Sequence, residues 1–124
     1  MLGTKDKPTK KNINTQISEK IDKVNELAQN IFNLNYEIQK IEAGGIETAM
    51  DLRDARDQAL DQLSAYGKIE YEENPDGIVS VRFENHDLLD EVRVYNMAKQ
   101  TDKVTDFITP YWPNTSAVSY THLR

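Results

Sequence analysis

The stretch DLRDARDQALDQL, Asp51 to Leu63, decides how the chain folds. Leu52, Ala59 and Leu63 recur at helical spacing and mark an apolar seam, and Arg56 falls on that same seam among four aspartates. A buried guanidinium is tolerated only where acceptors meet it, because a stranded charge costs several kcal/mol. Arg56 therefore predicts a polar node inside a helix–helix contact. Its location depends on which segment packs against this helix.

That segment lies just upstream. Apolar residues recur at Ile13, Ile17, Ile21, Val24, Leu27, Ile31, Leu34, Ile38 and Ile41 in alternating steps of three and four, with neither Pro nor Gly between them. This is heptad spacing and predicts one long helix. Ala43-Gly44-Gly45 ends it, since glycine takes left-handed caps at little cost. A second helix is expected from near Glu47 to Gly67, with a seam of Ala49, Leu52, Arg56, Ala59, Leu63 and Tyr66. A short connection between two such helices makes an antiparallel hairpin.

If Ile41 faces Ala49, then Ile38 faces Leu52, Ile31 faces Ala59, Leu27 faces Leu63, and Val24 faces Tyr66. Arg56 then meets Leu34 and Asn35. Its methylenes can lie on Leu34 and Leu60 while the Asn35 side-chain oxygen accepts from the guanidinium. Asp57, or a carboxylate from another segment, can complete the set. Asn35, Arg56 and Asp57 are therefore the expected register-setting residues, as a single polar group in a heptad seam commonly is. The same register leaves residues 13–23 without a partner. Ile13, Ile17 and Ile21 continue the stripe for roughly 16 Å, an expected interface for a further helix from a longer chain or from a neighbouring subunit.

After Gly67 the period changes to two. Lys68–Glu73, a turn at NPDG and Ile78–Phe83 predict a β-hairpin. Glu91–Met97 and Val104–Ile108 read as two further strands with the polar KQTD between them, and Pro110 and Pro113 close the ordered part around Trp112. The expected fold class is α+β, a long coiled-coil-like antiparallel helical hairpin followed by a small antiparallel β region. The expected organisation is a disordered arm over 1–12, the hairpin over 13–67, the β region over 68–113, and an unstructured tail over 114–124. Within that tail SAVSYTHLR (Ser116–Arg124) matches neither pattern and reads as non-native read-through.

Composition narrows the function classes. The chain has 124 residues, 38% hydrophobic and 29% charged, with formal net charge −6. Residues 1–45 carry seven Lys against six acids, net +1, while residues 46–124 carry eight Lys or Arg against fifteen acids, net −7. Beyond the Lys5–Lys11 arm no basic face gathers, which argues against nucleic-acid binding. Without cysteine, disulfides, thiolate chemistry and sulfur-ligated zinc are excluded. The opening MLGTKDKPTKK lacks the apolar core of a secretory signal, and no apolar run approaches the ~18 residues that span a membrane.

VNELAQNIFNLNYEIQ (Val24–Gln39) and AMDLRDARDQALDQLS (Ala49–Ser64) together resemble the family of flagellar hook-associated protein 1, the first hook–filament junction proteins. The resemblance rests on Asn25-Glu26-Leu27-Ala28, on Leu34-Asn35-Tyr36-Glu37-Ile38 and on Asp51-Leu52-Arg53-Asp54-Ala55-Arg56-Asp57. Met50 stands where the family usually has Asn, and Pro110-Tyr111-Trp112 agrees more weakly. It covers about Asn12 to Pro113. What it implies is an extracellular structural subunit of the bacterial flagellum, exported through the type III apparatus without a cleaved signal peptide. The implied partners are neighbouring copies of itself, the hook protein and the second junction protein. The chain would then be an internal fragment whose family-supplied terminal helices cover the overhang.

Sharper chemical readings are weaker. Asp51, Asp54, Asp57 and Asp61 share neighbouring helical positions, but no Glu-x-x-His accompanies them as in a di-iron bundle. Arg53 sits four residues before Asp57, a favourable surface pair. His86 has no recognisable nucleophile or Gly-rich loop beside it and reads as a surface-loop residue. Tyr95, Tyr111 and Trp112 read as core or interface rather than a stacking platform, and NPDG lacks calcium-site spacing. No catalysis, metal or cofactor is expected. Two other classes stay open, a free-standing coiled-coil adaptor dimerising through Ile13, Ile17 and Ile21, and a glycan-binding accessory domain built on the β segment and Trp112.

Overall fold

The computed structural model describes residues 9–113, and the expectations for residues 1–8 and for the tail from 114 lie outside them. The class is α+β. Helix α1 spans Lys10–Glu42, and α2 spans Met50–Ser64. Three strands follow as an antiparallel meander, β1 (Ile69–Glu73), β2 (Val79–Phe83) and β3 (His86–Leu89), and then a separate antiparallel pair, β4 (Ala98–Thr101) and β5 (Ile108–Tyr111).

Helix α1 begins three residues before the apolar repeat, inside the stretch expected to be disordered. The cause is local. Thr9 is extended and its hydroxyl oxygen accepts from the Asn12 N–H at 3.1 Å, satisfying a donor that the first turn cannot pair itself. Helix α2 starts at Met50 rather than near Glu47, and its cap residue Ala49 has no side-chain acceptor. Glu42, at the end of α1, supplies one instead, and the Ala49 N–H donates to Glu42 Oε2 at 2.8 Å.

The main departure from the sequence reading is what covers the N-terminal half of α1. Ile21 is completely buried and Ile17 packs half-buried against the same core, which also contains Val24, Leu27, Ile31, Leu63, Val81, Phe83, Leu88, Met97 and Trp112. Ile13 is half-buried as well. The stripe expected to await a further helix is covered from within at Ile21 and in part at Ile17, since α1 packs against β3, β4 and β5 beyond the end of α2. Heptad spacing marks a surface to be buried but does not specify what buries it. At the other end Ile41, expected to face Ala49, is 40% exposed.

Three asparagines tie α1 to the strands. The side-chain amide of Asn14 donates to Asp106 O at 2.9 Å and accepts from Ile108 N at 2.8 Å. Asn25 donates to Met97 O at 2.9 Å and accepts from Met97 N at 2.8 Å. Asn35 donates to Val79 O at 2.8 Å and accepts from Val79 N at 3.1 Å. Each amide thus stands in for a neighbouring strand, satisfying one backbone donor and one acceptor that would otherwise be lost beneath a helix. The three lie eleven and ten residues apart, close to three helical turns in each case.

The later strands fall elsewhere than the alternation suggested. Glu84 and Asn85 both take left-handed conformations, φ 49° and 68°, so the chain reverses in two residues and a strand resumes at His86. Asp90 Oδ1 accepts from the N–H groups of Val92 and Arg93, closing a turn inside the expected Glu91–Met97 strand. Asp102 Oδ1 does the same for Val104 and Thr105, which leaves Val104 92% exposed in a turn. The polar KQTD stretch is mostly strand β4. Pro110 lies within β5 opposite Lys99, and Asp102 N–H to Phe107 O places that pair where no ladder hydrogen bond is required.

Gly67 joins α2 to the meander at a close approach. A Cβ there would stand 2.5 Å from the buried Phe83 ring, so only glycine fits without repacking the core. Of the asparagine contacts, the central one is the simplest to test. Asn25→Leu strands the Met97 N–H and C=O and is expected to cost about 2 kcal/mol in urea unfolding. Hydrogen exchange of the Met97 amide should accelerate more than that of Ala28, three positions from Asn25 in the same helix.

Candidate functional site

The polar node predicted by Arg56 sits where the helical hairpin meets the β1–β2 loop. Arg56 is 2% exposed and Asn35 3% exposed. Arg56 Nη1 donates to Asn35 Oδ1 at 2.9 Å and to Gly77 O at 2.7 Å. Its Nη2 approaches Glu73 Oε1 at 3.6 Å, while Nε, also buried, meets no acceptor among the described residues. Burial pushes the guanidinium below its ordinary pKa, and the Glu73 carboxylate opposes that shift. Asn35 Oδ1 accepts from both Arg56 and Val79, so one side chain connects both helices to β2.

Asp57 stands apart from this node. It is exposed, acts on Arg56 only through its charge, and forms no hydrogen bond to it. Of the two sources expected for a carboxylate, Asp57 or another segment, it is the second, Glu73 on β1, that approaches Arg56. Arg53 likewise does not pair with Asp57. Its Nε donates to Glu42 Oε2 at 2.8 Å, its Nη2 to Glu42 Oε1 at 2.6 Å, and its Nη1 to Glu73 Oε2 at 3.2 Å. The fork geometry of a guanidinium favours this two-point grip over a single i,i+4 contact. Hydrogen bonding to Glu42, then to Glu73, raises the Arg53 pKa further above its ordinary value.

The β1–β2 loop is held for this purpose. Asn74 Oδ1 accepts from Asp76 N and Ile78 N, each at 2.9 Å, and Asn74 O accepts from Gly77 N. Gly77, at φ +84°, turns its carbonyl toward Arg56. The NPDG segment is a turn built to present a backbone acceptor. Among the described residues, no group of three or more His, Asp or Glu side chains is arranged to hold a metal ion.

His86 differs from expectation, whereas Trp112 sits in the core as expected. His86 lies in β3 rather than a surface loop, stacked on Trp112 with ring centroids 5.0 Å apart and 19° between planes. Burial, followed by the nearby Arg82 charge, lowers the His86 pKa. Trp112 is buried and Tyr95 donates its hydroxyl to Asp90 Oδ2 at 2.7 Å, so the three aromatics form no open platform. Asn14, Glu42 and Glu73 were not singled out by sequence reading, and Asn25 entered it only as part of the family resemblance. The asparagines had one legible signal, a near-eleven-residue recurrence beside the apolar seam. The two glutamates had none, because both act across tertiary contacts.

The geometry is that of a packing module, a helical hairpin and two small sheets joined through buried amide and guanidinium groups. A family model for the flagellar hook-associated protein FlgK helical domain matches residues 5–119, and the chain belongs to that family. No curated protein matches it. Membership makes it a structural component associated with the flagellum, with flagellar subunits as its general class of partner. Among the described residues, no helix is long and apolar enough to cross a membrane.

Hydrogen bonds from Arg53 and from the Ala49 N–H hold the Glu42 carboxyl at about 2, against an ordinary 4.5. A carboxyl more acidic in the folded state stabilises the fold fully above about pH 4.5, and that contribution is lost as pH falls toward and through 2. Urea midpoints measured from pH 7 downward should therefore separate Glu42→Gln from the parent at neutral pH. The two curves should converge as the acid limb is reached.

Proposed function

We propose that this chain is part of a hook-associated junction protein, a structural subunit that joins hook to filament in the bacterial flagellum. The observation that carries the reading is the FlgK helical-domain match over residues 5–119. On this reading the protein is exported unfolded through the flagellar type III apparatus and works outside the cell without catalysis or cofactor. Its neighbours are copies of itself, the hook protein and the second junction protein. The fold suits that role physically. A helix of 33 residues, about 50 Å long, is attached to β structure at three points, so load applied at one end is shared across the domain.

The adaptor reading loses support at Ile21, which is fully buried in the chain's own core, while Ile13 and Ile17 stay half-buried. Within the favoured reading, Asn35 and Arg56 fix the register of the hairpin, with Asp57 contributing charge from the surface. Replacing Arg56 by Leu should keep or raise helicity, since an apolar residue in a helical seam is well tolerated. It should also broaden the pulse-EPR distance distribution between labels at Ala28 and Gln62. A distribution as narrow as the parent's would remove Arg56 from that role.

Location tests the function itself. Gold-labelled antibody raised against this chain, applied to intact flagella of the source bacterium, should mark a single band between hook and filament. Label spread along the filament, or confined to the cell body, would overturn the junction assignment.

A further inference from the structure

The surface between α2 and β1 stands outside the packing described above. Helix α2 rests on α1 and barely on the strands. The groove that results is floored by Leu60, Ile69 and Tyr71 and walled by Asp54, Asp57 and Asp61. Tyr71 pairs with the buried Val81 and so belongs to the core-facing side of the meander, yet it is 59% exposed. The sheet runs out past the helices that cover its other strands.

β1 is also the edge of that sheet. The Lys68 C=O accepts from the Glu84 N–H, and the Asn74 N–H donates to the Ile78 C=O. Even-numbered residues of β1 therefore bond to β2, and Ile69, Tyr71 and Glu73 turn their N–H and C=O groups to the open side. An edge with free backbone groups is a template for another strand. Its charge selects the occupant. Glu70 and Glu72 on one face and Asp54, Asp57 and Asp61 beyond the other are all exposed. None of the five takes part in an ion pair among the described residues. A second copy of β1 would set glutamates against glutamates, which repel across a strand pair.

We propose that this groove receives an extended, lysine- or arginine-bearing segment of a partner protein, added to β1 as a fourth strand. Basic side chains on one face of the incoming strand meet Asp54, Asp57 and Asp61, and their aliphatic stems lie over Tyr71 and Ile69. Those on the other face meet Glu70 and Glu72. Backbone pairing supplies the affinity, and the acidic borders supply the preference. This surface is independent of the junction assignment, so either can fail without the other.

The test uses the ¹⁵N-labelled 124-residue chain and a short synthetic peptide alternating valine and lysine. Titration should shift the amides of Ile69, Tyr71 and Glu73 and slow their hydrogen exchange. The triple substitution Asp54→Asn, Asp57→Asn, Asp61→Asn changes only exposed side chains and should weaken binding about tenfold. Tyr71→Pro removes an outward N–H while sparing the bonds to β2, and should abolish exchange protection with an unchanged circular dichroism spectrum. Three results would overturn the proposal. One is a valine–glutamate peptide that binds equally well, and another is a lysine peptide that binds without protecting the edge amides, by charge attraction alone. The third is a concentration-dependent dimer of the chain through β1.

Discussion

Everything in this fold depends on helix α1 being able to hydrogen-bond sideways. A helix satisfies its own backbone and has nothing to offer a strand laid across it, so a strand end beneath a helix normally forfeits its bonds. Asn14, Asn25 and Asn35 remove that conflict. Each carries one donor and one acceptor in the spacing of a peptide group, and each is used in both directions on a backbone segment of the β region. The strands can then close over the apolar stripe of α1 without leaving buried amides unpaired. The same helix thus serves as one half of a hairpin and as the base for two small sheets.

Asn35 carries more than its two companions because Arg56 meets it from α2. Around them a second shell of charge ties the ends of both helices to the β1–β2 loop, with Arg53 held between Glu42 and Glu73. Glu42 has two functions at once, receiving Arg53 and accepting from the N–H of Ala49, the residue that precedes α2. Buried charge of this kind adds little to stability compared with well-packed apolar residues. In this structure it holds one placement of hairpin and loop, with Arg56 on Asn35 and Gly77 and Arg53 on Glu42 and Glu73. For a subunit whose family role is structural, a single placement matters more than a large free energy of folding.

Much of this was legible in advance, and what was not has a common cause. Steps of three and four from Ile13 to Ile41 announced α1, and Arg56 on an apolar seam announced a polar node opposite Asn35. The β1–β2 hairpin followed from NPDG. Errors began where side chains bond to backbone out of register with hydrophobic alternation. Asp90 and Asp102 bend the chain through their carboxylates, so apolar Val92 and Val104 lie in turns, while the polar Lys99–Thr101 forms strand. Arg56 met Asn35 as expected and drew its carboxylate from another segment, Glu73, rather than from Asp57, while Arg53, expected to pair with Asp57, met Glu42 and Glu73 instead.

The sequence by itself determined the two helices, the first β-hairpin and the family. Periodicity, glycine breaks and the Arg-Asp segment depend on neighbours within a few turns, where local geometry leaves little choice. Only the tertiary structure decided what lies over Ile17 and Ile21. A heptad stripe carries the demand for burial but no record of the partner, because apolar contact is non-directional and a helix or a pair of strands satisfies it equally. The directional groups made the choice, and three asparagine amides accept strand backbone in a way that a further helix, already bonded within itself, could not have used.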